Sequence, residues 1–369
     1  MKFHADREQL LKTLQKVVGI TDKKTTMPIL SHVLLETLGP NRTAVFATDL
    51  NLSLRTHFEA SVEQEGKLCV SARKLLELAR EVSVDGLSLE LLANQRLAIQ
   101  AGRSYFELTT LAPEDFPHIA IHDDVSGVQV SAPELRAALS RASYAIPVDE
   151  DPFSVPGLYW HALDGKRVRM VSSDGHRLAY EELALDSVEA LGVGKGVTIP
   201  RKGVQEMIRM FEKEESVNVV VHESRLIVAS DALFLSIQLL EEEFPDYELI
   251  IPQERPHHLT VHREGLFLAL KRMAVLTDQT WRHVRFIMRD GELELETGNP
   301  ELGTARERLD VQYKGDEFTV AFNIRYVLDA IHALESDAVR LEWLDEFHGA
   351  IFCEPDNPGR LGLVMPMMV

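Results

Sequence analysis

The stretch Ser71-Ala72-Arg73-Lys74-Leu75-Leu76-Glu77-Leu78 decides how the chain is organised, because it comes back. It returns as Ile199-Pro200-Arg201-Lys202-Gly203-Val204-Gln205-Glu206 and, more weakly, as Phe322-Asn323-Ile324-Arg325-Tyr326-Val327-Leu328-Asp329. Other landmarks recur in the same order. Arg7-Glu8-Gln9-Leu10-Leu11 is echoed by Pro133-Glu134-Leu135-Arg136-Ala137 and Arg263-Glu264-Gly265-Leu266-Phe267. Thr48-Asp49-Leu50 is echoed by Ser173-Asp174-Gly175 and Gly298-Asn299-Pro300, and Phe116-Pro117 by Phe244-Pro245 and Met365-Pro366. Positions 49, 174 and 299 are 125 residues apart, and 73, 201 and 325 are 128 and 124 apart. A period this long exceeds any solenoid repeat and has the size of a domain. The reading is three copies of one domain, at 1–125, 126–253 and 254–369.

Each copy follows the same pattern. An amphipathic helix opens it, with Leu10, Leu11, Leu14, Val17 and Val18 at helical spacing in the first. Alternating strands follow, as in Gly291-Glu292-Leu293-Glu294-Leu295-Glu296, where the leucines face a core and the glutamates face water. Asp164-Gly165, Asp290-Gly291 and Asn94-Gln95 separate strand runs as hairpin turns. A second helix and more strands complete the unit. The fold class expected is α+β, with antiparallel sheet and two helices per domain.

Composition narrows the function. The 369 residues carry a net charge of −19, 45% are hydrophobic and 26% charged, which suits packed cores and not an intrinsically disordered chain. Two cysteines, Cys69 and Cys353, make no disulfide framework and no zinc spacing. Met1-Lys2-Phe3-His4-Ala5-Asp6 breaks any apolar leader, and no run is long enough for a membrane helix, so a cytoplasmic protein with no membrane contact is expected. The acidity is uneven. The helices expected at 7–18, 73–80, 133–143, 201–213, 263–273 and 323–334 hold 16 Lys and Arg against 7 Asp and Glu, so they are net +9 in a chain of net −19. If the domains close into a ring with helices inside, its lining is basic and its outside acidic. Such a lining attracts a polyanion without sequence preference.

Three tempting readings fail. Ser172, Ser173, Asp174 and His176 resemble a hydrolase set, but neighbours on one turn rarely meet triad geometry. Gly192-Val193-Gly194-Lys195-Gly196 lacks the phosphate-loop spacing and reads as a loop between strands. His257, His258 and His262 have no further ligand nearby, so no metal is expected.

The chain resembles the bacterial β sliding clamps, the processivity subunits of replicative DNA polymerase. The resemblance covers the whole length. It rests on Met1-Lys2-Phe3, Pro28-Ile29-Leu30, Thr48-Asp49-Leu50, Arg73-Lys74, Gly102-Arg103-Ser104, Asp115-Phe116-Pro117, Asp174-Gly175-His176-Arg177-Leu178, Pro200-Arg201-Lys202-Gly203, Phe244-Pro245-Asp246-Tyr247 and Val364-Met365-Pro366-Met367. It implies two chains pairing head-to-tail in a six-domain ring around duplex DNA, with no catalysis and no cofactor. A separate ATP-driven loader opens the ring, and polymerases, the loader and repair proteins dock short linear peptides on it. The alternative is a peptide-binding scaffold that never encircles DNA. Position by position, the resemblance implies a peptide pocket of Val155, Ser173, Gly175, His176, Arg177, Leu178, Pro245, Leu249, Ile250, Phe347, Leu363, Met365 and Met367. It implies a dimer interface of Lys74, Arg96, Arg103, Phe106 and Leu108 against Val275, Leu276, Glu301 and Glu307, basic against acidic, with Gly303, Thr304 and Arg306 departing from the pattern. DNA contacts are expected at Lys24, Arg73, Arg136, Arg141, Arg201, Lys202, Phe153 and Ser154, with the acidic Val148-Asp149-Glu150-Asp151 just ahead of the last two.

Overall fold

The computed structural model describes residues 1–21, 26–119, 126–148 and 154–368. Among them are seven α-helices: α1 (Arg7–Val18), α2 (Ala72–Glu81), α3 (Ala132–Ala142), α4 (Val188–Leu191), α5 (Arg201–Met210), α6 (Arg263–Met273) and α7 (Ile324–His332). The rest is antiparallel strand and short 3₁₀ turns. Helix starts follow from local chemistry. Asp6, Ser71, His262 and Asn323 each accept a backbone N–H from the first turn of the helix they precede, at Gln9, Lys74, Gly265 and Arg325. The apolar stripe of α1 buries Leu10, Leu14 and Val17 completely, each contributing about 2 kcal/mol.

The recurrent landmark at 49, 174 and 299 has one physical cause. Asp49 Oδ1 accepts the N–H groups of Asn51 (3.0 Å) and Leu52 (2.6 Å). Asp174 Oδ1 does the same for His176 (3.0 Å) and Arg177 (3.1 Å). Asn299 Oδ1 does so for Glu301 (2.9 Å) and Leu302 (3.3 Å). All three are side-chain-closed turns that launch the next strand.

The sheets run across the boundaries between the sequence repeats. The chain divides into two compact units, and the middle repeat is shared between them. In the first unit, the strands of the first repeat continue into Leu233–Gln238, Arg225–Ala229, Ser216–His222 and Val128–Ser131, giving a sheet of twelve strands among the described residues. The splice is the strand Leu52–Gln64. Its first half pairs with Leu233–Gln238, from Leu52↔Ile237 to Thr56↔Leu233. Its second half pairs with Lys2–Asp6. In the second unit, Gly157–Ala162, Arg167–Ser173, Arg177–Ala184 and Val197–Pro200 share an eight-stranded sheet with third-repeat strands. The splice there runs from Arg177↔Val364 to Glu181↔Arg360. A separate four-stranded sheet holds His283–Arg289, Glu292–Asn299, Gly303–Asp310 and Phe318–Asn323. The third-repeat core packs Phe286, Phe322 and Phe352 edge-on at 5.4 and 5.8 Å, the favoured aromatic geometry.

One expected alternation breaks. Leu293 and Leu295 are buried as anticipated, but so is Glu294 on the opposite face. Arg306 (3.0 Å), Arg308 (2.9 Å) and Arg289 (3.3 Å) cover it. Burial opposes its ionisation, yet the three guanidiniums hold its carboxyl below the ordinary range.

Candidate functional site

The tail of the chain is fixed against the turn at 173–178. Leu178 pairs with Leu363 and Arg177 with Val364. Beyond the strand, Met365 N donates to the His176 carbonyl (2.9 Å) and Met367 N to the Ala321 carbonyl (2.8 Å). Gly175 turns the chain at φ +80°, where a side chain would be strained. Arg177 is held three ways. It donates to Asp174 Oδ2 (3.0 Å) and Asp329 Oδ2 (2.5 Å), and its guanidinium lies 4.3 Å from the centre of the Tyr326 ring. Burial works against its charge, but the hydrogen bonds to Asp329 and Asp174 outweigh this and raise its pKa. His176 is exposed and lies parallel to Tyr326, ring centres 6.4 Å apart.

Below this turn is an apolar floor. Leu178, Leu363, Val171, Tyr247, Ile351 and Leu361 are buried together, with Phe244, Ile251, Tyr159 and Met365 packed against them. Gly349 lets the next loop lie close, since a Cβ there would sit 2.5 Å from Leu363. Carried on the two segments beside the floor are exposed apolar side chains: Leu249 at 83%, Ile250 at 41% and Phe347 at 68%. Pro245 is also exposed, while Val155, Ser173, Met365 and Met367 are half-buried. Exposed apolar residues gathered at a buried cluster mark an interaction surface. The polar anchor of the floor is Tyr247, whose hydroxyl meets His161 Nε2 (2.7 Å) and Arg169 (3.1 Å). Burial pushes this phenol up to about 12, so it stays protonated.

Several of the hydroxyls and imidazoles singled out in the sequence are already engaged. Ser172 Oγ donates to the Ala142 carbonyl (2.5 Å) and Ser173 Oγ to the Arg177 carbonyl (3.0 Å). His262 Nδ1 caps α6 and His257 stacks on Trp343 at 5.7 Å. The sequence reading missed Tyr326, Asp329 and Tyr247. The third copy of the helix-start landmark already contained Arg325-Tyr326, so the repeat held the signal for α7.

The expected nucleic-acid contacts separate into groups. Arg73 and Lys74 are well exposed on α2, both bonded to Glu77 (2.8 Å each). Arg136 is exposed; Arg201, Lys202 and Ser154 are half-buried, and Arg201 donates to the Pro147 carbonyl (3.2 Å). Lys24 and Phe153 lie outside the described residues, as does 149–151 of the acidic stretch. Arg141 is placed differently from these. It is only 18% exposed and pairs with Glu181 (2.8 Å) and Glu335 (2.8 Å), so its charge is already neutralised within the chain. Two other helix arginines bond to backbone carbonyls. Arg7 donates to the Ala79 carbonyl (3.3 Å) in the last turn of α2, and Arg263 to the Ser336 carbonyl (2.9 Å) in the loop after α7.

The two halves of the expected dimer interface are open sheet edges. Ser104–Leu111 pairs along its length with Arg96–Ala101, but on its other side only Thr110 and Leu111 meet a neighbour among the described residues. Phe106 and Leu108 are half-buried there and Arg103 is exposed. Gly303–Asp310 ends its sheet and, among the described residues, pairs only with Glu292–Asn299. Beside it Val275 is 76% exposed, Leu276 half-buried and Glu301 exposed. Some of the charge at these edges is paired within the chain: Glu307 with Arg272 (2.5 Å), Arg306 with Glu296 (2.5 Å), Lys74 with Glu77, and Arg96 3.7 Å from Glu107. Arg103 on one edge and Glu301 on the other are exposed and have no ion-pair partner among the described residues.

Known proteins match the chain throughout. Family models described as the N-terminal, central and C-terminal domains of the DNA polymerase III beta subunit match residues 1–120, 129–246 and 248–368. The chain is 31% identical to a beta sliding clamp of Vibrio cholerae over 369 residues and 32% identical to one of Salmonella typhimurium over 372, covering all of both proteins each time. A crystal structure of the DNA polymerase sliding clamp from Caulobacter crescentus superposes with a TM-score of 0.90 at 31% identity, covering both chains completely.

Proposed function

The chain belongs to the DNA polymerase III beta subunit family, the β sliding clamps, and from that premise we propose that it works as a head-to-tail dimeric ring. The ring encloses duplex DNA, tethers the replicative DNA polymerase and catalyses nothing itself. The observation that carries this reading is the pair of open edges in one chain. An unpaired edge invites another strand. Ser104–Leu111 of one copy beside Gly303–Asp310 of the next uses both edges, and two copies close the set by two-fold symmetry. The half-buried Phe106 and Leu108 then meet Val275 and Leu276. We take the domains of the ring as 1–125, 126–253 and 254–369.

In this arrangement Arg73, Arg136, Arg201 and Lys202, with Lys24, Phe153 and Ser154, meet the DNA backbone. Contacts of this kind replace counterions and read no sequence, so the clamp slides. The apolar patch receives short linear peptides from polymerases, the loader and repair proteins. Met365 and Met367 suit a surface that serves several partners, because thioether side chains repack readily. The protein acts in the bacterial cytoplasm on this reading, and no helix among the described residues is long and apolar enough to cross a membrane.

The test is topological. Clamp loaded on nicked circular DNA stays bound, and is released when the circle is cut. Equal retention on circle and line would favour a scaffold that never encircles DNA. The double reversal Arg73→Glu with Arg201→Glu shortens residence on the circle while the native mass stays that of a dimer.

A further inference from the structure

The apolar patch sits in an acidic surround, and the charges there are specific to the two segments that carry it. Residues 241–250 read Glu-Glu-Glu-Phe-Pro-Asp-Tyr-Glu-Leu-Ile, and residues 345–349 read Asp-Glu-Phe-His-Gly. Together they hold seven carboxylates and neither lysine nor arginine. Six of the carboxylates are on exposed residues, Glu241, Glu242, Glu243, Asp246, Glu248 and Glu346; Asp345 is half-buried.

The cations of this region are already engaged. Arg177 bridges Asp174 and Asp329. Arg169 is 16% exposed and pairs with Glu182 (2.6 Å), with Glu248 farther off at 3.7 Å. His348 bonds to Asp345 (2.8 Å). Glu241, Glu242, Glu243, Asp246 and Glu346 have no ion-pair partner among the described residues. The segments cannot turn away from the patch. Phe244 and Tyr247 pack into its floor, and Gly349 lies on Leu363.

We propose that this pocket selects linear peptides whose apolar anchor is flanked by lysine or arginine. This rests on the peptide-pocket reading above. The anchor side chains enter the apolar floor and supply most of the affinity. The flanking cations meet the Glu241–Glu243 run on one side and Glu248 or Glu346 on the other. Such rim pairs act chiefly on association rate and on discrimination between partners, and salt screens them. An acidic flank is repelled by the same field, which sharpens the choice.

The experiment is fluorescence anisotropy with full-length protein and three labelled peptides. They share a Leu-Ala-Leu-Phe core and carry two lysines, two serines or two glutamates on each side. At low salt the lysine-flanked peptide binds about three- to tenfold tighter than the serine peptide, and the glutamate peptide weaker by a similar factor. The differences shrink at about 0.5 M salt, where the screening length is about 4 Å. The surface variant Glu241→Lys, Glu242→Lys, Glu243→Lys inverts the order. Equal affinity of all three peptides at low salt, with the core still bound, overturns the charge selection and leaves the pocket standing. Failure of all three to bind overturns the pocket itself. If the order persists unchanged in the triple variant, the acidic run is not its source and the proposal falls.

Discussion

The middle repeat is joined to its neighbours at two antiparallel splices, and the two differ in whether an ion pair joins the paired stretches. In the first unit Thr56 stands opposite Leu233. In the second, 125 and 127 residues further on, Glu181 stands opposite Arg360. The paired stretches of the first splice, Leu52–Thr56 and Leu233–Ile237, hold no carboxylate, and the Thr56 hydroxyl donates to the Ala232 carbonyl (2.9 Å). Its polar ties lie beside it: Arg209 pairs with Glu206 and donates to the carbonyls of Gln15 (2.6 Å) and Lys16 (2.5 Å) at the end of α1, Lys16 pairs with Glu214 (3.3 Å), and Arg225 donates to the Asn51 carbonyl (3.2 Å). The second splice is a buried ionic network. Arg360 bonds Glu181 (2.7 Å) and Glu354 (2.8 Å), Arg141 bonds Glu181 and Glu335, and Arg360, Glu181 and Glu354 are each under 9% exposed. One backbone plan thus tolerates either solution. The ionic one fixes geometry at the side that also carries the apolar patch, since the same strand begins at Arg177 and Leu178.

The comparison breaks most sharply at Glu181. Glu181→Ala leaves two guanidiniums buried without their shared carboxylate, and is expected to cost about 3–5 kcal/mol. Urea unfolding followed by tryptophan fluorescence measures it, since Trp160 and Trp343 lie in the second unit. The counterpart Thr56→Val should cost under about 1 kcal/mol. Comparable losses would mean the two splices are not different in kind. Between these lies Arg209→Ala, which uncaps the end of α1 in the first unit. About 1 kcal/mol is expected, discounted for partial exposure.

Acid separates the splices further. Burial opposes the charge of Glu354, but backbone N–H groups of Glu335 and Ser336, the Asn357 amide and Arg360 hold its pKa below the unfolded value. A depressed carboxyl stabilises above the unfolded pKa and loses that contribution as pH falls through the folded one. The second unit should therefore weaken below about pH 4. Hydrogen exchange at 357–364 compared with 233–238 reads this, and parallel loss in both would contradict it. The smallest change concerns the tail. Removing residues 365–369 leaves Val364 and its pairing with Arg177 in place, so the native mass stays dimeric while binding of a Leu-Phe peptide is lost. Wild-type affinity in calorimetry would remove the tail from the pocket.

Much of this was legible in the sequence because its signals are local. The helices expected at 7–18 and 263–273 are those observed, Arg7–Val18 and Arg263–Met273. The expected 201–213 runs as α5 and then a 3₁₀ turn, Phe211–Lys213. The hairpins at Asp164-Gly165, Asn94-Gln95 and Asp290-Gly291 formed as read. What could not be read is non-local. Nothing near Thr56 announces that Leu233 will lie beside it, so the division of the middle repeat between two sheets was hidden. The same limit hid the partners of Arg141. A helix arginine looks like a free surface cation until its partners, Glu181 and Glu335, arrive from 40 and 194 residues away. Glu294 was misjudged because alternation predicts a face, not the arginines that will cover that face.

The most direct test of the account is negative-stain electron microscopy of the purified chain, with native mass taken on the same sample. The account predicts a particle of twice 41.6 kDa that images as a closed ring with a hole wide enough for a DNA duplex. A compact particle without a hole, or a monomer whose two open edges stay unpaired at high concentration, would contradict it.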